Sequence, residues 1–376
     1  MKVIHVVSVS GGKDSLATLL IALERCGHAN VVAIFCDTGN EHEETYAYLD
    51  YLERALGIQI IRLKADFSEQ LLAKRMFIAR DVRTAREVER VVCLDVAGQP
   101  LPARRPGDGA IITKQVMRKD GTVETMVVPK TRKVTTRRIR WSNRAKRRAL
   151  AVMYPSGNPF LDLCMWKGRF PSRKAQFCTE ELKRNMAVGY QLELLEAGHR
   201  VISWQGIRRD ESQNRANAKK WERVGPGMWI ARPIVDATAA DVFALARERG
   251  LRPNPLYLQR MSRVGCMPCI NCNKAELRAI AARFPEHPSR IAHWEWLVGQ
   301  CSKRGFATFM ADAHSAKDRR QIFADLNIWA RIEWSKTTRG GRQFNLLDEE
   351  ENEGGGCSSS YGLCEQGEPL TELEAA

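Results

Sequence analysis

Residues 10–15, Ser-Gly-Gly-Lys-Asp-Ser, gather two glycines, two hydroxyls, an ammonium and a carboxylate in six positions. Gly11 and Gly12 permit positive φ, so consecutive backbone N–H groups can face one centre. A helix beginning there adds its positive N-terminal end. Lys13 supplies a point charge, and Ser10 and Ser15 supply hydroxyl donors. The set suits a phosphate. Asp14 is the misfit: beside a polyanion it is tolerable if it caps the helix or meets the phosphates through Mg²⁺. The spacing is not that of the G-x-x-x-x-G-K-[ST] loop. On these six residues alone, a plain glycine turn with a surface lysine stays open.

A second cluster, Cys266, Cys269 and Cys272, has the spacing C-x2-C-x2-C. Three thiolates in seven residues can take three corners of one centre, a spacing typical of iron–sulfur binding with the fourth ligand elsewhere. Zinc, more often held by two separated pairs, is the alternative, and buried inert cysteine is the bland one. Cys26, Cys36, Cys93 and Cys301 lie in apolar or helical contexts and read as packing residues.

The elements that must carry these groups follow from periodicity. Residues 2–10 read as a strand and Ser15–Arg25 as a helix with Leu16, Leu19, Leu20 and Leu23 on one face. Residues 30–39 read as a buried strand ending in Asp-Thr-Gly, Glu41–Leu56 as a helix, and residues 58–65 as a third strand. Such alternation with short links predicts an α/β fold with a doubly wound parallel sheet. Ligands in such sheets bind outside the carboxyl ends of the strands, where the glycine turn and the Asp-Thr-Gly turn both fall.

The rhythm degrades after about residue 75. Residues 76–150 mix arginine-rich helical stretches with a hairpin around Asp120-Gly121 and read as a basic insertion. Ten cations and no acid lie between Lys130 and Arg148. The α/β pattern resumes over 151–260, with a helix at Glu180–Ala197, a strand at 200–207 and a helix at Ala239–Arg249. Residues 261–345 read as a helical C-terminal region bearing the cysteine cluster. Residues 346–376, acidic and then Gly/Ser-rich, read as a mobile tail. The first part of the α/β domain is therefore 1–75.

The 376 residues are 44% hydrophobic and 27% charged, with a formal net charge of +15. That excess favours polyanionic partners. The N-terminal apolar run is too short for a signal peptide and no stretch has the length of a membrane span, so a cytoplasmic protein with reduced thiols is expected.

Four motifs in order carry a resemblance. SGGKDS after a first strand resembles the PP-loop of the N-type ATP pyrophosphatases. CDTGNEHEETYAYL (36–49), GIRRDESQNRA (206–216) and the segment from RPIVDATAADVF through NPLY to GCMPC (232–269) resemble the phosphoadenosine phosphosulfate (PAPS) reductase branch. The resemblance spans about 1–75 and 160–275 and implies an adenine nucleotide alpha hydrolase-like fold. It implies that Ser10, Gly11, Gly12, Lys13, Asp14 and Ser15 hold the terminal phosphates of ATP with Mg²⁺, or the matching anion of a sulfonucleotide. Asp37, Gly39 and Gly206 would lie along the nucleotide. Arg208 and Arg215 would contact phosphate, with Glu211 orienting one of them. The bland reading of these three is a solvated helix face with an i,i+4 pair. The catalytic candidates are Lys13, Asp14 and Arg208. Cys178, where the family carries a cysteine before a helix, becomes the fourth ligand of a 4Fe–4S cluster (alternatively Zn²⁺), with Cys164 in reserve.

Two departures separate the chain from the reductases. Phe177-Cys178 stands where iron–sulfur sulfonucleotide reductases carry Cys-Cys, and no E-C-G-[IL]-H motif occurs; Cys357 and Cys364 are the only thiols of the tail. The reading that fits best resembles the DNA phosphorothioation branch. It is an ATP pyrophosphatase that forms AMP and pyrophosphate to activate a nucleic acid, DNA or tRNA held through residues 130–148, for sulfur incorporation. The sulfur would come from a donor such as a cysteine desulfurase. The alternatives are a PAPS or adenosine phosphosulfate reductase, and a non-enzymatic, zinc-stabilised nucleic-acid binder.

Overall fold

The structure, a computed structural model, describes residues 1–83, 86–118, 122–138, 140–310 and 318–337, with backbone alone at 86–88 and 135–138. The expected turn at Asp120-Gly121, the tail 346–376 and its Cys357 and Cys364 lie outside the described residues. The chain parts into two compact units, Met1–Arg75 with the chain from Arg148 onward, and Met76–Arg147.

In chain order the elements begin with β1 (Val3–Ser8), α1 (Lys13–Cys26), β2 (Val31–Asp37), α2 (Glu43–Leu56), β3 (Ile60–Lys64) and α3 (Ser68–Ala79). Then come β4 (Arg86–Val92), β5 (Thr113–Met117), β6 (Val123–Val127), β7 (Thr131–Arg138) and α4 (Asn143–Val152). After α5 (Pro159–Lys167), a turn α6 (Phe177–Thr179) runs through π-helical Glu180–Arg184 into α7 (Asn185–Glu196). The strands β8 (Arg200–Trp204), β9 (Trp221–Gly225) and β10 (Met228–Ala231) precede α8 (Ala239–Glu248) and α9 (Pro255–Leu258). The described chain ends in α10 (Lys274–Arg283), α11 (Glu286–Cys301), α12 (Arg319–Leu326) and α13 (Ile328–Lys336).

The first unit is a six-stranded sheet of order β3-β2-β1-β8-β10-β9, parallel throughout except for the antiparallel edge strand β9. The β9–β10 hairpin, turning at Pro226-Gly227, is absent from the sequence expectation. Both faces of the sheet are covered, and strand alternation divides the residues between them. Val7, Ala33, Phe35 and Trp204 face a core built with α1 and α2, whereas Val6, Ile34, Cys36 and Val201 face α7. The strand order reverses between β1 and β8. A switch point of this kind opens a crevice beyond the carboxyl ends of those two strands. Farther along, Glu295 of α11 is buried and ties two loops, accepting the N–H of Phe309 at 2.8 Å and of Ile328 at 3.0 Å.

The second unit differs from its expected helical character. Antiparallel ladders β4–β7 and β5–β6 make up most of it, and backbone hydrogen bonds between Cys93, Leu101 and Lys130 and between Ala103, Ile112 and Val128 join them. The arginine-rich stretch Thr131–Arg138 is strand because β-branched threonine and valine interleave its cations, which suits a pleat better than a helix. Only from Asn143 does the run become helical. Trp141 is buried and its N–H donates to Asp81 Oδ2 at 2.8 Å, so it anchors the base of this unit.

Candidate functional site

Residues 10–15 leave β1 and enter α1 at the switch point. Gly11 takes φ 78°, and Gly12 stands at the N-cap of α1 without a side-chain cap, so the first turn keeps N–H groups facing the crevice. Ser15 Oγ donates to Gly12 O at 2.9 Å and accepts the Ser10 N–H at 3.1 Å, which fixes the loop from within. Two residues of α9 fix it from outside. Asn254 Nδ2 donates to Gly11 O at 3.2 Å, and Tyr257 Oη accepts the N–H of Lys13 at 3.0 Å. These are site residues that sequence reasoning singled out only as part of a motif; nothing local in NPLY says that it grips a loop more than 240 positions away.

Asp14 is neither a helix cap nor exposed. Its Oδ1 accepts from Arg208 Nε at 2.7 Å, and its Oδ2 lies 3.5 Å from Lys13 Nζ. Arg208 is fully buried and its Nη1 forms a bidentate contact with Asp210 at 2.9 and 2.8 Å. The strand β8 delivers Arg208 to this place because Gly206 passes against the first turn of α1. A Cβ on Gly206 would stand 2.8 Å from Asp14 O and 2.9 Å from Asp14 C. Only glycine permits that approach.

Residues 206–216 are not a solvated helix face. They form two short 3-10 turns, Arg209–Glu211 and Gln213–Arg215, and Arg215 is buried in a salt bridge to Glu211 Oε2. The Glu211 carboxyl is pushed up by burial; Arg215 opposes that, and the nearby Asp14 charge adds to it. Asp14 Oδ2 and Glu211 Oε1 are buried and accept no hydrogen bond from the described residues. Two carboxylate oxygens in that condition, close enough to perturb each other, are a donor set suited to a hard divalent cation. The structure therefore brings Ser10 to Ser15, Gly206, Arg208, Glu211 and Arg215 to one place.

The second-strand turn is held separately. Asp37 Oδ1 accepts the N–H of Gly39 at 2.9 Å and the hydroxyl of Tyr46 at 2.7 Å. Gly39, at φ 73°, abuts Asn158, whose Nδ2 donates to Gly39 O at 2.6 Å. A small cleft, partly open to solvent, lies at the ends of β1 and β2, with Ser10, Glu41, Lys183 and Gly265 in its wall. Lys183 carried no sequence signal, and Glu41 was singled out only as part of the motif at 36–49.

The cysteine loop docks on this turn. The Met267 N–H donates to Asn40 O at 2.7 Å, and Asn40 Nδ2 donates to Pro268 O at 3.0 Å. Cys266 Sγ lies 3.7 Å from Glu41 Oε1 and 3.4 Å from Thr38 Oγ1. Burial pushes the Cys266 thiol up, with Lys183 opposing and Glu41 adding. Cys272 is raised by burial and feels Cys269, whereas Cys178 is the thiol that acts on buried Cys164. Cys269 therefore lies near Cys266 and Cys272, and Cys178 near Cys164. Among the described residues no three cysteine sulfurs lie within 4.8 Å of one another. A single zinc needs sulfurs about 3.8 Å apart, given bonds near 2.3 Å; a cluster binds each cysteine to a different iron and suits wider spacing.

One three-ligand group does meet that limit, His42 with Glu286 and His287. Its chemistry is against a metal. His42 Nδ1 accepts the Glu44 N–H at 3.0 Å, so its other nitrogen keeps its proton, and the Arg290 guanidinium lies 2.8 Å from His287 Nδ1. Burial and that cation hold His287 down at about 4. The two rings stack as packing and capping groups.

Comparison with known proteins agrees with the sequence resemblance. The phosphoadenosine phosphosulfate reductase domain matches residues 4–99 and 117–272. An uncharacterized 37.8 kDa protein of Escherichia phage 186 is 42% identical over 372 residues, covering 96% of this chain and 97% of that protein. An adenosine 5'-phosphosulfate reductase of Chelativorans sp. is 38% identical over 64 residues, 17% of this chain and 26% of that enzyme. Among solved structures, the phosphate complex of a phosphoadenylyl-sulfate reductase from Candida auris is 12% identical with a TM-score of 0.35, over 72% of this chain and 83% of that one. Among the described residues, no helix is long and apolar enough to cross a membrane.

Proposed function

The chain belongs to the phosphoadenosine phosphosulfate reductase domain family, and from that premise we propose that it is an ATP pyrophosphatase activating a nucleic acid for sulfur incorporation. The observation that carries this reading is a pair of oxygens buried beside the phosphate loop that accept no hydrogen bond from the described residues, Asp14 Oδ2, with Lys13 Nζ 3.5 Å away, and Glu211 Oε1. They suit a triphosphate that arrives with a divalent cation. Mg²⁺ bound there would shield the charge that builds on departing pyrophosphate.

The chain's own groups do the rest. The N–H groups of the α1 turn and the Lys13 ammonium hold the terminal phosphates. Arg208 keeps Asp14 aimed. Asp37 and Gly39 mark the path of the nucleoside past β2. A substrate oxygen attacks the α-phosphorus, the α–β bridging bond breaks, and pyrophosphate leaves. A sulfur nucleophile, supplied by a donor such as a cysteine desulfurase, then displaces AMP from the activated carbon or phosphorus. Cys266, Cys269 and Cys272, with Cys178 or Cys164, would hold a 4Fe–4S cluster, with Zn²⁺ as the alternative; such a cluster supplies a place to bind or relay sulfur. The cations from Lys130 to Arg148 would hold the backbone of the DNA or tRNA.

The test is pyrophosphate release from Mg-ATP by anaerobically purified protein, with and without DNA or tRNA. Lys13→Ala is expected to lower the rate at least about 100-fold without loss of fold; an unchanged rate sinks the reading. A second reading, sulfonucleotide reduction, is favoured by the short match to an adenosine phosphosulfate reductase. Sulfite release from that substrate with thioredoxin, and no pyrophosphate from ATP, would decide for it.

A further inference from the structure

The second unit carries a β arm in which no described side chain is fully buried. Among its described side chains between Asp81 and Trp141, no hydrophobic one is buried, and Val91, Leu94, Met117 and Val127 are exposed. A two-stranded ladder without a packed face is marginal in water. Basic residues outnumber acidic ones two to one between Arg86 and Arg138. The register of β4 on β7 makes matters worse for the isolated arm: Arg90 stands directly opposite Lys133. Like charges placed across a ladder destabilise it. Arg132, opposite Val91, lies on the other face, so exposed cations project from both sides of the ribbon.

We infer that the β4–β7 ribbon is a groove-binding arm for double-stranded DNA. The inference rests on the nucleic-acid part of the function proposed above and names the substrate class. Three facts choose the occupant. The charge asks for a polyanion, which removes the cross-strand repulsion as its counterions leave. The two strands, about 4.8 Å apart with side chains on both faces, match the width of the B-form major groove, about 12 Å. The major groove of an A-form RNA duplex is too narrow to admit side chains, so RNA is the poorer fit. A second copy of this chain would bring a second arm of the same charge and is repelled.

The experiment uses the full chain and a mixed-sequence DNA duplex of about three helical turns, the RNA duplex of the same sequence, and each strand alone. The DNA duplex should bind at least about 10-fold tighter than the RNA duplex. Methyl green, a major-groove ligand, should compete, and netropsin, a minor-groove ligand, should not. Replacing Arg90, Arg132 and Lys133 by glutamine should reduce affinity at least about 10-fold and flatten the logarithmic salt slope by about 2–3. Lys133→Glu alone converts a repulsive pair into an attractive one. It should slow hydrogen exchange in the ribbon while weakening DNA binding, a combination that misfolding cannot produce. Equal affinity for RNA, displacement by netropsin alone, or unchanged binding by these variants overturns the groove assignment. Pyrophosphate release from Mg-ATP without nucleic acid reports on the active site independently, so either idea can fail while the other stands.

Discussion

The two places in this molecule suited to phosphate solve the problem in opposite ways. Around the switch point Lys13, Asp14, Arg208, Glu211 and Arg215 are buried and paired: Lys13 to Asp14, Asp14 to Arg208, Glu211 to Arg215. In the arm, Arg90, Arg132 and Lys133 are exposed on strands in which no described side chain is buried. The first arrangement is pre-organised; its donors stand in place before a ligand arrives, which is what stabilising a particular transition state requires. The second has charge without a mould and suits a long polymer whose sequence it does not read. A site that does chemistry is therefore expected to be sensitive to single atoms, and an arm that holds a polymer only to the sum of its charges.

The sharpest test of that contrast is Gly206→Ala. The added methyl meets the backbone of Asp14, which cannot move without shifting the first turn of α1. We expect a loss of about 3 kcal/mol in stability and loss of nucleotide binding, read by denaturant melts and ATP titration. If both survive unchanged, the close approach of β8 to the loop is not what sets the site.

Glu295 should reveal the first unit's dependence on buried polar groups through pH. Burial raises its carboxyl to about 7, against the Phe309 and Ile328 N–H groups, which favour the charged form. Because the folded state holds the proton more tightly than the unfolded chain, the associated stability is present below about 4.5 and is lost as pH rises to about 7, on the order of 3 kcal/mol. Glu295→Gln should flatten this part of the stability–pH curve. An unchanged slope would mean that another group governs it.

How much of this was legible differs between the regions as well. The three N-terminal strands, the turn at residues 10–15 and the parallel sheet are visible in the sequence because local periodicity and glycine punctuation determine them. The answer to Asp14 was not, since its partner Arg208 comes from a strand 194 positions away and no local pattern reports a tertiary ion pair. The same holds for Asn254 and Tyr257 on the loop. The arm was misread as partly helical because cation-rich runs usually belong to helix surfaces, and the β-branched residues between its arginines were given too little weight.

Tyr257→Phe should show a smaller, ligand-dependent effect. It removes the acceptor of the Lys13 N–H, leaving a buried donor unpaired at a cost of about 1 kcal/mol in the ligand-free protein. Phosphate oxygens can replace the phenol. The melting-temperature deficit of the variant should therefore shrink when Mg-ATP is added. A deficit equal with and without nucleotide would place the phosphates elsewhere.

The smallest effect should come from the largest change. The two ends of the arm lie together at its base, where the Trp141 N–H meets Asp81 at 2.8 Å and Lys146 Nζ meets Ala79 O at 3.2 Å. A Gly-Ser-Gly link can therefore replace residues 84–139 while keeping Asp81, Trp141, α3 and α4. Because the excised ladders bury no described hydrophobic side chain, the deletion removes almost none of the apolar burial that stabilises the protein. Its own cross-strand repulsion between Arg90 and Lys133 goes with it. The shortened protein should unfold within about 0.5 kcal/mol of the full chain, bind ATP as before, and lose most of its affinity for DNA. A shortened protein that no longer folds would give the arm a structural role and erase the contrast; one that folds and still binds DNA with the original salt dependence would move the polymer's platform to the remaining cations, beginning with Arg144 and Arg147 on α4.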